Sequence, residues 1–188
     1  MRIEQEARKL GEVDTAPLLE YLQGRESEVW HFKCDAIRTL PHCTRIILRH
    51  SRDYNFDLYD IVDWPHMEAF RPYVQPITDQ VCDMVGRTAI AATFIATLPA
   101  GTSIYPHVDA GDFLTVPARI HIPLKTNPGV IYRIGGAVNE DPDRMAAHVM
   151  AREFHMKVGE VWEIDNTSYH SVTNTGDTDR WHLIYNIW

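Results

Sequence analysis

From residue 88 onward the apolar positions come in short runs: TAIAATFIATL, SIYPHVD, ARIHIPLKT, GVIYRIG, AREFHMKV, EVWEID and RWHLIYNIW. Turn signals separate them, among them PAGT, TNPG, GG, KVGE and NTGDTD. Such runs predict strands, and their even spacing predicts a closed double sheet of the jelly-roll type. Upstream the pattern is mixed. TRIILRHS, residues 44–51, is rich in β-branched residues and reads as a further strand. DTAPLLEYLQGR offers a cap at Asp14 or Thr15, Pro17 in the first turn and Gly24 at the end, which predicts a short helix. Met67, Phe70, Val74, Ile77, Val81, Met84 and Val85 recur at helical spacing, but Pro72 and Pro76 interrupt them. The expectation there is a broken start, then a regular helix over 76–86 ended near Gly86, its apolar stripe packed on the core.

These elements predict a mainly β fold, a double-stranded β-helix of jelly-roll or cupin-like form, in one domain over 1–188. Residues 88–188 make the core, and residues 1–87 form a mixed helix and strand buttress whose helices pack on the outside. A chain of 188 residues buries roughly 70% of its unfolded surface.

Composition narrows the classes. The sequence is 45% apolar and 23% charged, with no apolar run long enough to span a membrane. A net charge of −8 argues against nucleic acid as a partner. The N-terminal MRIEQEARKLGEVD has no apolar centre and so is no secretory signal, and three cysteines, Cys34, Cys43 and Cys82, then fit reduced thiols and a cytoplasmic setting. HFKC followed by PHC raises a zinc site from His31, Cys34, His42 and Cys43, but the spacing matches no common structural zinc pattern, and packing is the simpler reading.

The candidate chemistry begins at IYPHVDAGD, where His107 and Asp109 stand two positions apart. In an extended strand such a pair points to one face, which inside a barrel brings an imidazole and a carboxylate together. His170, opening HSVTN, supplies the third member of a two-histidine, one-carboxylate triad. That donor set leaves adjacent metal positions open and marks non-haem Fe(II) oxygenases. Arg180 opens the last apolar strand and shares a face with His182, Ile184 and Asn186; a guanidinium entering the interior there needs a carboxylate, the alternative being a strand-end arginine that reaches back to solvent. In ARIHIPL, Arg119 and His121 share one face while Ile120, Ile122 and Leu124 share the other, again a polar interior. His148 and His155 read as surface residues, and Asp165, Asn166 and Asn174 as turn residues.

The stretches LPAGTSIYPHVDAG, RIHIPL and DNTSYHSVTNTGDTDRWHLIYNIW resemble the aspartyl/asparaginyl β-hydroxylase family of Fe(II)/2-oxoglutarate oxygenases and the related free-proline hydroxylases, over roughly residues 90–188. The resemblance implies a double-stranded β-helix with His107, Asp109 and His170 as iron ligands and Arg180 as partner of the distal carboxylate of 2-oxoglutarate. It places Arg119 and His121, as an RxH strand, beside that co-substrate. The implied activity is oxidative decarboxylation of 2-oxoglutarate by O₂, coupled to hydroxylation of an unactivated C–H in an amino acid or amino-acid-like substrate. Asp109 sides with the full-triad members and against a halogenase, and the serine that the family aims at the co-substrate has no clear counterpart, Thr93 and Thr97 being nearby. Two other classes stay open: a cupin-like metal-binding isomerase or binding protein without O₂ chemistry, which has no need of Arg180, and a non-catalytic interaction protein. Arg45, Arg49, Arg133 and Arg144 are candidates for a substrate carboxylate, with solvated surface as the default, and the chain's end at Trp188 favours a small-molecule substrate.

Overall fold

The computed structural model describes residues 6–25, 32–33, 43–139 and 147–188. Its main sheet runs, in spatial order, β1 (Ala7–Glu12), β12 (Glu160–Ile164), β7 (Ala118–Lys125), β14 (Arg180–Ile187), β5 (Ile90–Leu98), β3 (Thr44–Ser51) and β2 (Phe32–Lys33), with β4 (Ile61–Asp63) paired to β3. A four-stranded sheet has the order β11 (Arg152–Phe154), β8 (Val130–Ile134), β13 (His170–Asn174) and β6 (Ser103–His107), and β9 (Ala137–Asn139) with β10 (Ala147–Val149) makes a ribbon. Every pairing is antiparallel. The two larger sheets share a core in which Leu98 and Ile164 meet Val130, Tyr132, Ile134 and Val172. This is the double-stranded β-helix that the strand pattern predicts.

Alternation explains which face is which. On β14, Trp181, Leu183, Tyr185 and Ile187 point outward, with Ile120, Ile122 and Leu124 of β7 beside them. They bury against α1 (Ala16–Leu22) and α2 (Met67–Val85), through Leu18, Leu22, Phe70, Val74, Ile77 and Val81. The helices therefore cover the outside of the main sheet, as expected. The opposite face of β14 carries Arg180, His182, Ile184 and Asn186 inward, and all four are buried. No helix among the described residues is long and apolar enough to cross a membrane.

Helix α2 corrects one expectation. It is continuous over nineteen residues with Pro72 and Pro76 inside it, not broken before residue 76. Both prolines lie on the exposed face, where water can satisfy the carbonyls they leave unpaired, while Gln80 Nε2 donates to the Pro76 carbonyl at 3.0 Å. The apolar stripe on the other face holds the helix to the sheet against their cost. Gly86, at φ 69°, ends it as expected.

Two strands depart from their predicted extents. The run AREFHMKV narrows to β11, because its partner β8 pairs with it only at Tyr132–Ile134. The charged N-terminal stretch contains β1, an edge strand whose Arg8 pairs with Glu163 at 2.6 Å and whose Lys9 pairs with Glu160 at 2.8 Å. Charge on an edge discourages further pairing, which is why this strand lacks an apolar signature.

Ile122 is fully buried between β7 and the helices. Ile122→Ala should cost about 2–5 kcal/mol, read as a lower denaturant midpoint with an unchanged slope.

Candidate functional site

The ends of β6 and β13 build the centre of the site. His170 opens β13 and stands directly across from His107, the last residue of β6. The register slips between His170 and Val172, and β6 is an edge strand, a position that tolerates Pro106. The two imidazoles lie 4.3 Å apart, centroid to centroid. Asp109 follows β6, and its main-chain N–H donates to the Asn166 carbonyl at 2.9 Å, which fixes the loop beside β13. One ligand atom from each of His107, Asp109 and His170 falls within 4.8 Å of the others.

The hydrogen bonds around these groups orient them as a donor set. His107 Nδ1 donates to the Tyr105 carbonyl at 2.8 Å, and His170 Nδ1 donates to the Ser168 carbonyl at 3.0 Å. A ring whose Nδ1–H is committed in this way has only Nε2 left to offer a metal. Asp109 Oδ2 accepts from Arg119 Nη2 at 2.7 Å and from Asn166 Nδ2 at 2.9 Å. Its other oxygen, Oδ1, faces His107 Nε2 at 3.8 Å. Burial opposes the charge of Asp109, yet Arg119, His170 and the Asn166 hydrogen bond hold its carboxyl well below the usual carboxylate range. Burial and then the neighbouring His107 push His170 down to about 4, so its imidazole is neutral at physiological pH. A neutral His170 and an ionised Asp109 match the protonation states that a divalent transition metal requires of such ligands.

A cavity of about 80 Å³ adjoins this cluster, and Arg180 lines it together with Arg119, His121 and Tyr132. Arg180 is only 1% exposed, and its Nε and Nη1 have no hydrogen-bond partner among the described residues. Burial lowers its affinity for the proton, and the groups that oppose this are Tyr132 and Cys43, not a carboxylate. A guanidinium so placed fits an anion entering the cavity. Burial pushes the Tyr132 hydroxyl up to about 12, so it stays a protonated donor. His121 and His182 are likewise buried, kept neutral by desolvation and then by nearby arginines, with their Nδ1 atoms 3.4 Å apart.

The structure thus gathers His107, Asp109, His170, Arg119, His121 and Arg180 around one cavity. Arg119 touches the Asp109 carboxylate itself, and His182 sits behind His121. Asn166 lies in the turn after β12, as expected, but it is also buried, and its Nδ2 bridges Asp109 and the Leu114 carbonyl, the latter at 2.6 Å. Its only sequence signal is its place next to Asp165, which does form the expected turn by accepting from the Thr167 N–H at 3.1 Å. His148 and His155 are half-buried rather than on the surface, each held to a main-chain carbonyl. Asn174 bonds the Gly176 N–H as a turn residue, but is also fully buried and braces the Leu98 carbonyl. Thr97 spends its hydroxyl on Thr44 at 2.8 Å, and Thr93 lines a separate groove with Arg49 and Asp63. Arg49 pairs with Asp63 and Arg133 with Glu153. Of the alternative zinc set, His31, Cys34 and His42 lie outside the described residues, as does Arg144.

Comparison with known proteins agrees with this architecture. The family described as Aspartyl/Asparaginyl beta-hydroxylase matches residues 52–188. An L-proline cis-4-hydroxylase of Rhizobium meliloti (strain 1021) is 27% identical over 113 residues, 60% of this chain and 34% of that protein; the chain matches about a third of the length of this curated relative. A crystal structure of an oxidoreductase of the 2OG-Fe(II) oxygenase family from Burkholderia pseudomallei superposes with a TM-score of 0.59 at 17% identity, covering 92% of this chain and 78% of that one. A Pseudomonas putida prolyl-4-hydroxylase gives 0.56 at 12% identity, covering 98% and 92%. At these identities the two structures establish a shared fold.

Removing a group that orients a metal ligand typically costs 10–100-fold in affinity. Asn166→Ala should weaken Fe(II) or Co(II) binding by about that factor in a chelator-competition titration, with the fold retained by circular dichroism.

Proposed function

The chain belongs to the aspartyl/asparaginyl β-hydroxylase family, and from that premise we propose that it is an Fe(II)/2-oxoglutarate-dependent dioxygenase that hydroxylates an unactivated C–H of an amino acid or amino-acid-like substrate. The observation that carries this reading is the unpartnered, buried Arg180 in the same cavity as the His107, Asp109 and His170 cluster. A metal triad alone suits many proteins. A triad beside an enclosed cation suits one that takes an anionic co-substrate. The cupin-like alternative leaves Arg180 without an anion.

In this reading His107, Asp109 and His170 hold Fe(II), and Arg180 pairs with the distal carboxylate of 2-oxoglutarate. When bound, the iron supplies O₂ activation coupled to decarboxylation of the co-substrate to succinate and CO₂. The protein's own part is geometric and electrostatic. Arg119 and Asn166 keep Asp109 ionised and present one of its oxygens. The carbonyls of Tyr105 and Ser168 fix the histidine tautomers. Arg180 holds the far end of the co-substrate at a fixed depth, with the Tyr132 hydroxyl lining the same chamber. Ile104, Val172 and Ile184 line it with hydrocarbon and limit water around the reacting groups.

The test is anaerobic addition of Fe(II) and 2-oxoglutarate, watched by the visible absorption of the chelate, followed by succinate release in air with a panel of amino acids. Removing one member of a buried charge pair costs about 3–5 kcal/mol, and about 1.4 kcal/mol is a factor of ten. Arg180→Ala should therefore weaken 2-oxoglutarate binding roughly 10²–10³-fold, and unchanged affinity would remove Arg180 from this role. His170→Ala should abolish Fe(II) uptake.

A further inference from the structure

Next to the inner chamber lies a second cavity of about 250 Å³, which His107 and Asp109 also line. Its far wall comes from β3 and the turn that follows. Up to Leu48 the strand alternates regularly: Arg45 lines the cavities and Ile47 packs inside on Phe94, while Ile46 and Leu48 face the helices. The pairing of β3 with β5 then shifts between Ile47 and Arg49. Such a bulge re-aims the side chains that follow it. Arg49 accordingly turns outward to Asp63, and His50 turns into the cavity.

The next residues fold back over His50. Asp53, Tyr54 and Phe56 all have positive φ, at 55°, 59° and 61°. For bulky residues that conformation is rare, and such outliers concentrate at functional sites. The Phe56 N–H donates to Ser51 Oγ at 2.8 Å, and Arg52 pairs with Asp60 at 3.0 Å, which hold the turn. The result is an aromatic box: His50 stacks on Tyr54 at 4.1 Å and meets Phe56 edge-on at 5.2 Å, and Phe113 closes on Phe56 at 5.4 Å. Burial, then the charge of Arg45, pushes His50 down to about 4, so the box is neutral.

Among the polar groups lining this cavity, Arg119 is committed to Asp109, and Arg45 and Asn186 face the box. Arg45 lines both cavities, its Nη1 donating to the Tyr54 hydroxyl at 2.6 Å and its guanidinium lying 4.9 Å from the Phe94 ring centre. Asn186 lines the outer cavity at 1% exposure. Its Nδ2 is committed to the Phe113 carbonyl at 3.1 Å, and its Oδ1 has no partner among the described residues. A guanidinium and an orphan acceptor flanking an apolar box form a reader for a zwitterion.

We propose that the outer cavity binds a small free amino or imino acid with an aliphatic side chain or ring. Arg45 pairs with its carboxylate, Asn186 Oδ1 accepts from its amino or imino N–H, and His50, Tyr54 and Phe56 enclose its hydrocarbon beside His107 and Asp109. This rests on the oxygenase reading and specifies its substrate. The volume lies below the roughly 300–1,000 Å³ of pockets for drug-sized ligands, which suits a single small molecule. Asp109, already held by Arg119 and Asn166, is the only acid among the described lining residues, so a basic side chain finds no counter-ion.

The test is calorimetric titration of the Mn(II)- and 2-oxoglutarate-loaded protein with each of the twenty proteinogenic amino acids, then with the amide and N-acetyl derivative of any that bind. At least one aliphatic or cyclic amino acid should bind, with its amide weaker by about 10²-fold and its N-acetyl form also weakened. Arg45→Met should erase the preference for acid over amide, whereas Arg49→Met, on the same strand but turned outward, should keep it. Equal binding of acid and amide by the unaltered protein overturns the proposal without any variant. So does full affinity in Arg45→Met, or no binding by any of the twenty to a protein that has taken up Mn(II) and 2-oxoglutarate. Failure to take up Mn(II) and 2-oxoglutarate at all sinks the oxygenase reading first, and this inference with it.

Discussion

A guanidinium enclosed in a β-barrel, with no carboxylate beside it among the described residues, is the constraint on which the rest of this structure turns. Arg180 opens β14, the strand that pairs with both β5 and β7 at the middle of the main sheet. Its position cannot be adjusted without moving that sheet. Isolated charges are costly to bury, and the usual remedy is an ion pair. Among the described residues the protein instead surrounds Arg180 with a neutral phenol, a thiol and two neutral histidines. Its positive field is left for something that enters.

Asp109 shows the complementary strategy. Here a charge is over-satisfied, by Arg119 and Asn166, on a single oxygen, Oδ2. The other oxygen is kept in line with His107. In the proposed reading, one carboxylate is held by the protein so that it can be offered to a cation, and one arginine is left so that it can be offered to an anion. The two lie in one chamber because the ends of β6 and β13 meet the inner face of β7 and β14.

Strand alternation made much of this visible in the sequence. The inward row of Arg180, His182, Ile184 and Asn186 and the opposed faces of ARIHIPL follow from a two-residue period, and the extent of TRIILRHS follows from its β-branched residues. What alternation missed has specific causes. Pro72 and Pro76 obscured α2 because propensity carries no information about which face meets water. The edge strand β1 was hidden by the charges that suit an edge. Asn166 is a turn residue, as it looked, and only the approach of the Asp109 loop gives it a second task. The aromatic box depends on a bulge in β3 and on three positive φ angles, neither of which a hydrophobic pattern records.

The most direct measurement compares 2-oxoglutarate with 2-oxopentanoate, which has a methyl group in place of the distal carboxylate, by calorimetric binding to the Mn(II)-loaded protein. If Arg180 is reserved for that carboxylate, 2-oxoglutarate binds about 10²-fold or more tightly than the analogue. Equal affinities would mean that the buried arginine answers to something else, and the account of the chamber would fail with it.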